Sequence, residues 1–255
     1  MATTAPEQTA SEITEEQARV ELAAAHQIAV LDGLTEGTWN HFSYMLGGAH
    51  KRMLITAGDR HWSQVTASSL AVVDEQSAES ARKQGGVFWV GYRIHYPVHE
   101  ARPDAACMLH AHPTYTTALS MLGPDALLPA SQHSNTIYFR LAYNDRPDGL
   151  EGDSEAQGRA IAEALGDKDI LLLRGHGVFV VAPTVAEAYH DLYLLEAASR
   201  GQILAMSTGA EVKACTEEEA RQLYHPRGGI AEAVARQQFG AMRAVLDAGG
   251  SDYAV

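Results

Sequence analysis

The chain has 255 residues, 46% of them hydrophobic and 20% charged, so it can bury a full core without disulfide or metal staples, and global disorder is excluded. Nineteen Lys and Arg against 32 Asp and Glu leave a net charge of −13, which lacks the basic surface that non-specific binding to nucleic acid or an anionic membrane needs. The only two cysteines, Cys107 and Cys215, fit free thiols in a reducing compartment better than a disulfide framework.

The first stretch, MATTAPEQTASEITEEQ, has neither a basic n-region nor an apolar h-region. No apolar run approaches the ~20 residues of a membrane span. The expectation is a soluble cytoplasmic protein with a disordered tail over 1–12 and one domain over 13–255. Thr14-Glu-Glu-Gln17 is a capping box and opens a helix with Val20, Ala24, Ile28 and Leu31 on one face, ending at Gly33. Phe42 to Leu46 and Met53 to Thr56 read as strands joined by a turn at Gly47-Gly48-Ala49-His50. Further strands are expected at Val72-Val73 and over Val87 to Val90, then a helix from Arg93 to Ala101 stopped by Pro103. Ala106 to His112 is a strand broken by Pro113, and a helix follows from Thr114 to Leu122. Pro129 to Tyr143 reads as a short helix and then a strand. Glu155 to Leu165 is a helix, and Ile170 to Arg174 and Val178 to Ala182 are strands. Capping boxes at Thr184-Val-Ala-Glu187 and Thr216-Glu-Glu-Glu219 open two more helices, the first reaching about Met206, and Ile230 to Leu246 is the last. The elements alternate without a regular βαβ rhythm, which implies one α/β domain with a mixed or largely antiparallel sheet.

Twelve histidines carry the chemical signal. His110 and His112 stand two apart at a strand end, so both imidazoles face one side and converge as adjacent metal ligands must. The same pattern also suits a polar pair where a strand reaches solvent. His176 lies between Gly175 and Gly177, flanked by core strands, a placement that suits a third ligand or a tight bulge. Three histidines leave a position open to substrate, the catalytic arrangement for zinc and related ions.

The context of these residues resembles the class II aldolase and adducin domain family. Ala101-Arg-Pro-Asp-Ala-Ala-Cys-Met-Leu-His-Ala-His-Pro113 is similar to its RPD…HxH block, and Leu-Leu-Arg-Gly-His176-Gly-Val to its later HG block. Leu54-Ile-Thr-Ala-Gly58, Val65-Thr-Ala-Ser-Ser-Leu-Ala-Val-Val-Asp74, Gly37-Thr-Trp-Asn-His-Phe-Ser43, Leu128-Pro-Ala-Ser-Gln132 and Leu141-Ala-Tyr-Asn-Asp145 follow the family order. The resemblance implies an α/β/α sandwich around a mixed, mostly antiparallel sheet. It also implies a divalent metal on His110, His112 and His176, and a homo-oligomer, with a tetramer favoured. Zinc is the first choice of metal, with manganese and iron open.

The family's sugar-phosphate enzymes carry a Ser-Ser pair and a catalytic Glu where this chain has Trp89, Val90 and Gly91. A phosphorylated sugar is therefore not the expected substrate, and another group must move protons. His133 aligns with a catalytic Tyr that a neighbouring subunit donates in the aldolases, and His41 lies in the substrate-facing turn. Both are catalytic candidates. Thr38, Asn40 and Tyr115 are the substrate-binding candidates, and His95 is expected to hydrogen-bond a metal ligand from behind. The expected activity is a metal-dependent lyase acting through an enolate of a small non-phosphorylated carbonyl compound, by aldol cleavage or decarboxylation. Two alternatives remain: a non-heme iron oxygenase, and a non-catalytic adducin-like interaction module.

Overall fold

A computed structural model describes residues 13–47, 51–146, 154–224 and 226–255. The expected tail over 1–12 and the turn residues 48–50 lie outside them. The first helix, α1 (Glu15–Leu31), starts where the capping box placed it: Thr14 Oγ1 accepts from the Gln17 N–H at 3.2 Å, and Gln17 Oε1 accepts from the Thr14 N–H at 3.0 Å. Its buried stripe runs through Ala18, Leu22, Ala25, Ile28 and Ala29. Leu31, expected on that face, is 56% exposed because the stripe has turned away by the last residue.

Then follow β1 (His41–Leu46), β2 (Arg52–Ile55), β3 (Ala71–Val73), α2 (Ala78–Gln84) and α3 (Trp89–Ala101). The strand expected over Val87–Val90 does not form. Val87 and Phe88 lead into α3, whose buried residues Tyr92, His95 and His99 recur at helical spacing. Four β-prone residues in a row imitated a strand, and tertiary packing overrode that local preference. The polar helix α2 escaped the periodicity reading because it buries only Ala78.

The chain continues through β4 (Cys107–Ala111), α4 (Thr114–Ser120), α5 (Gln132–Ile137), β5 (Leu141–Asn144), α6 (Ser154–Leu165), β6 (Ile170–Leu173) and β7 (Gly177–Ala182). It closes with α7 (Val185–Met206), α8 (Glu217–Leu223) and α9 (Ile230–Ala248). The seven strands form one sheet in the order β3-β2-β1-β4-β7-β6-β5. Every pairing is antiparallel except β5 with β6.

Helices cover both faces. Phe42, Leu109, Val178 and Val180 share a core with Leu22 of α1 and Leu192 and Leu195 of α7. Their alternate neighbours Met108, Leu171, Phe179 and Val181 face Ile94 and Val98 of α3 and Ile161 and Leu165 of α6. The result is an α/β/α sandwich with a mixed, mostly antiparallel sheet. Cys107 and Cys215 are both free thiols, and burial pushes that of Cys107 well up. Among the described residues, no helix is long and apolar enough to cross a membrane.

Polar residues tie the layers together. Arg102 grips Asp104 with two hydrogen bonds and donates to the carbonyls of Gly166 and Lys168, so the turn after α3 is pinned to the turn after α6. Glu196 of α7 accepts from the backbone N–H groups of Tyr115 and Thr116 and from the Thr116 hydroxyl, which anchors the start of α4 directly behind His112. Asp191 of α7 holds two guanidinium groups, accepting from Arg140 at 2.9 and 2.5 Å and from Arg227 at 2.5 Å. The side chains of Arg140 and Asp191 are only 9% and 5% exposed. Removing the carboxylate leaves two guanidinium groups to share Asp169, 3.2 Å from Arg140 and 3.4 Å from Arg227, so Asp191→Ala should lower stability by about 3 kcal/mol. Urea unfolding checks this, and a loss below ~1 kcal/mol would show that the network carries no such weight.

Candidate metal centre

Alternation along β4 sends Leu109 and Ala111 into the α1–α7 core, and Met108 and His110 to the α3 side. His112 follows two residues later. His176 arrives from the other side in the hairpin turn between β6 and β7, where Leu173 pairs with Gly177. Gly175 supplies the positive φ of that turn, at 63°. Gly177 acts instead through its missing side chain. A Cβ there would lie 2.4 Å from the Ala111 carbonyl oxygen and 2.6 Å from His112 Cδ2. Its bare backbone lets the hairpin close onto the strand that carries the other two histidines.

His110, His112 and His176 each offer a ring nitrogen, and the three atoms lie within 4.8 Å of one another. His110 Nε2 and His112 Nε2 face each other at 3.0 Å. Two nitrogens each about 2.0–2.1 Å from one zinc ion would stand roughly 3–3.5 Å apart, a spacing the His110–His112 pair already meets. The other nitrogens set the tautomers. His110 Nδ1 donates to the Val178 carbonyl at 3.0 Å, and His112 Nδ1 donates to Glu36 Oε2 at 2.5 Å. Both Nε2 atoms therefore keep their lone pairs for a metal. Burial, then the neighbouring imidazoles, holds His110 well below the usual histidine pKa; burial lowers His112 too, against the opposing pull of Glu36. Each thus stays in the neutral form that binds metal.

His41 is the cross-strand partner of His110, and their rings stand 4.8 Å apart. Gly91, which the resemblance places where the sugar-phosphate enzymes carry a carboxylate, is next to it. Gly91 lies in the first turn of α3, and a Cβ there would fall 2.9 Å from both His41 Cγ and Phe88 Cδ1. In this chain a side chain at 91 and the ring of His41 exclude one another.

The remaining candidates separate. Asn40 is buried; its Oδ1 accepts from the Glu36 N–H at 2.9 Å, while its buried Nδ2 has no partner among the described residues. Thr38 is exposed in the same turn. Tyr115 is half-buried, with the Arg200 guanidinium 5.7 Å from its ring centroid. His133 is exposed on α5 and does not join the histidine cluster of its own chain. His95 does not reach a metal ligand as expected; its nitrogens bond His41 and Ser43. Two participants had not been singled out from the sequence. Glu36 carries no local motif. Ser43 shares its strand face with His41, a signal that alternation made available.

The fold and this donor set define a metal-associated protein of the aldolase superfamily. Residues 20–203 match the family described as Class II Aldolase and Adducin N-terminal domain, and the chain belongs to that family. A Caulobacter vibrioides protein named for class 2 aldolases is 34% identical over 195 residues, covering 76% of this chain and 75% of that protein. Rat alpha-adducin is 31% identical over 193 residues, 74% of this chain but only 26% of adducin. The crystal structure of an aldolase II superfamily protein from Pseudomonas syringae superposes with a TM-score of 0.81 at 31% identity, covering 94% of this chain and 96% of that one. An L-fuculose 1-phosphate aldolase from Glaciozyma antarctica shares the fold, with a TM-score of 0.78 at 22% identity, covering 98% and 96% of the two chains.

Glu36→Ala removes the acceptor that orients His112, and zinc affinity measured by competitive chelator titration should fall about 10–100-fold. Unchanged affinity would remove Glu36 from the centre. The buried histidines also set acid stability. Burial lowers His99 and His26 to about 4, against 6.5 in an unfolded chain. Between those values the unfolded state binds protons that the folded state refuses. Stability is therefore full above about pH 6.5 and falls as the pH drops toward 4. Calorimetry should show Tm declining across that window; a Tm that rises there would contradict the burial of these two rings as neutral groups.

Proposed function

We propose that the protein is a metal-dependent carbon–carbon lyase. It acts on a small non-phosphorylated carbonyl compound through an enolate of that substrate, by aldol cleavage or decarboxylation. The observation that carries this reading is the convergence of His110, His112 and His176 with their tautomers set from behind. A divalent ion held there, zinc before manganese or iron, supplies Lewis acidity toward a carbonyl oxygen. The chain's own residues do the rest. His41, beside His110 and in the space a side chain at 91 would need, is the proton carrier within the chain. Burial, then the neighbouring imidazoles, holds its pKa well below the usual histidine value, so near neutral pH it stands in the neutral form that can accept a proton. Asn40 Nδ2, a buried donor without a partner among the described residues, is the donor proposed for the substrate, and Thr38 and Tyr115 are its proposed companions. His133, exposed on α5, serves the site of a neighbouring subunit in a cytoplasmic homo-oligomer, for which a tetramer is the proposed state.

Trp89, Val90 and Gly91 supply neither the hydroxyl pair nor the carboxylate of a phosphosugar enzyme, which is the basis for a non-phosphorylated substrate. A three-histidine donor set has no use in a purely structural module, which weighs against that alternative. Elemental analysis should find one divalent ion per chain, lost in His112→Ala and in His176→Ala. The zinc-loaded protein should exchange the carbon-bound protons of dihydroxyacetone in D2O, followed by proton NMR, but not those of its phosphate. Robust turnover of a sugar 1-phosphate would overturn the substrate class. Oxygen uptake by the iron-loaded protein would overturn the lyase in favour of an oxygenase.

A further inference from the structure

Behind His41, the face of β1 turned toward α3 carries an unbroken run of buried polar contacts. His41 Nδ1 meets His95 Nε2 at 2.7 Å. His95 Nδ1 meets Ser43 Oγ at 2.5 Å, and the same oxygen meets His99 Nε2 at 2.8 Å. His99 Nδ1 ends the run on the Ala105 carbonyl at 3.1 Å. All four side chains are buried, with His95 and Ser43 fully so.

The direction of every bond follows from the far end. A carbonyl oxygen only accepts, so His99 Nδ1 carries its proton. His99 is neutral, so its Nε2 is a lone pair and must accept the single hydroxyl proton of Ser43. That proton being spent, Ser43 Oγ accepts from His95 Nδ1. His95 Nε2 is then a lone pair and accepts from His41 Nδ1. One arrangement of protons satisfies all four contacts, and it leaves His41 with a bare Nε2. No carboxylate takes part, unlike the usual arrangement in which an acid group orients a working imidazole.

We infer that Ser43, His95 and His99 are positioning residues that lock His41 in its Nδ1–H tautomer, so that Nε2 is held as a proton acceptor beside the three-histidine centre. The catalytic half of this inference rests on the lyase reading. When Nε2 takes a proton from a substrate carbon, the electron pair of the broken C–H bond stays on the substrate as the enolate. His41 then holds a proton on each nitrogen, with Nδ1 still bonded to His95. The device orients His41 through neutral groups, so no negative charge is buried behind it.

The test separates tautomer from activity. Two-bond 15N–1H correlation spectra of histidine-labelled protein at pH 8, with and without zinc, should give pyrrole-type Nδ1 and pyridine-type Nε2 signals for His41, His95 and His99. Ser43→Ala cuts the run in its middle. His95 and His41 should then show mixed tautomers, while zinc affinity stays within about threefold of the native value, because the ligands are untouched. Ser43→Thr, which keeps the hydroxyl, should restore the native pattern and shows that loss of packing is not the cause. In the exchange assay Ser43→Ala should lower the maximal rate roughly 10–100-fold with KM unchanged. A proton on Nε2 of His41 or His95 in the native protein, or native tautomers in Ser43→Ala, would overturn the relay. Native tautomers as expected with no exchange by the wild type would leave the tautomer lock standing, overturn its catalytic role and count against the lyase reading.

Discussion

Everything at the centre depends on β4 being held between two antiparallel partners. β1 on one side and β7 on the other fix which way each of its residues points. His41 is set opposite His110, and His110 opposite Phe179, whose ring stacks on it at 4.2 Å. A slip of one residue would turn His110 into the α1–α7 core and bring Leu109 to the site. The apolar packing of Leu109, Phe42 and Val180 against α1 and α7 resists that slip, so the hydrophobic core on one face sets the geometry of the polar site on the other. Gly177 completes the constraint by letting β7 approach the end of β4 closely enough for His176 to join.

A cluster of imidazoles inside a sandwich is costly unless each is neutral and hydrogen-bonded. The chain meets both conditions by ending its polar chains on backbone oxygens. His99 ends on Ala105, His110 on Val178, and the separate core histidine His26 on Leu22. Glu36 is the exception: it is the carboxylate partner of a ligand, and it stands at the solvent side, where its charge remains hydrated. The interior therefore holds neutral rings, and the charged group sits at the rim.

Membership of the class II aldolase and adducin family accounts for the sandwich and the three-histidine cluster. It does not by itself account for the close packing of the His41 ring against Gly91, where a side chain would compete for the same volume. His41, mounted on β1, belongs to the sheet, whereas a side chain in the first turn of α3 would ride on a helix end. The sheet position also allows a second row of support from α3, through His95 and His99, one helical turn apart.

Much of this was legible in the sequence because it rests on short-range rules. Capping boxes marked the starts of α1, α7 and α8, and each Thr accepts from the backbone N–H three residues on. Period-two alternation put His110 and His112 on one side, and paired glycines marked the turn that presents His176. Other features could not be read, because they join residues far apart in the chain. Glu36 reaches His112 across 76 positions, and Ser43 reaches His99 across 56. The first turn of α3 replaced the end of the strand expected over Val87–Val90, extending the expected helix backward so that Tyr92 joins its buried face, which no local propensity encodes. The sequence by itself determined the class of fold and singled out the three histidines of the candidate metal cluster. Only the tertiary structure decided what orients those histidines and which imidazole packs against Gly91, because hydrogen-bond direction and excluded volume exist only once distant segments are in contact.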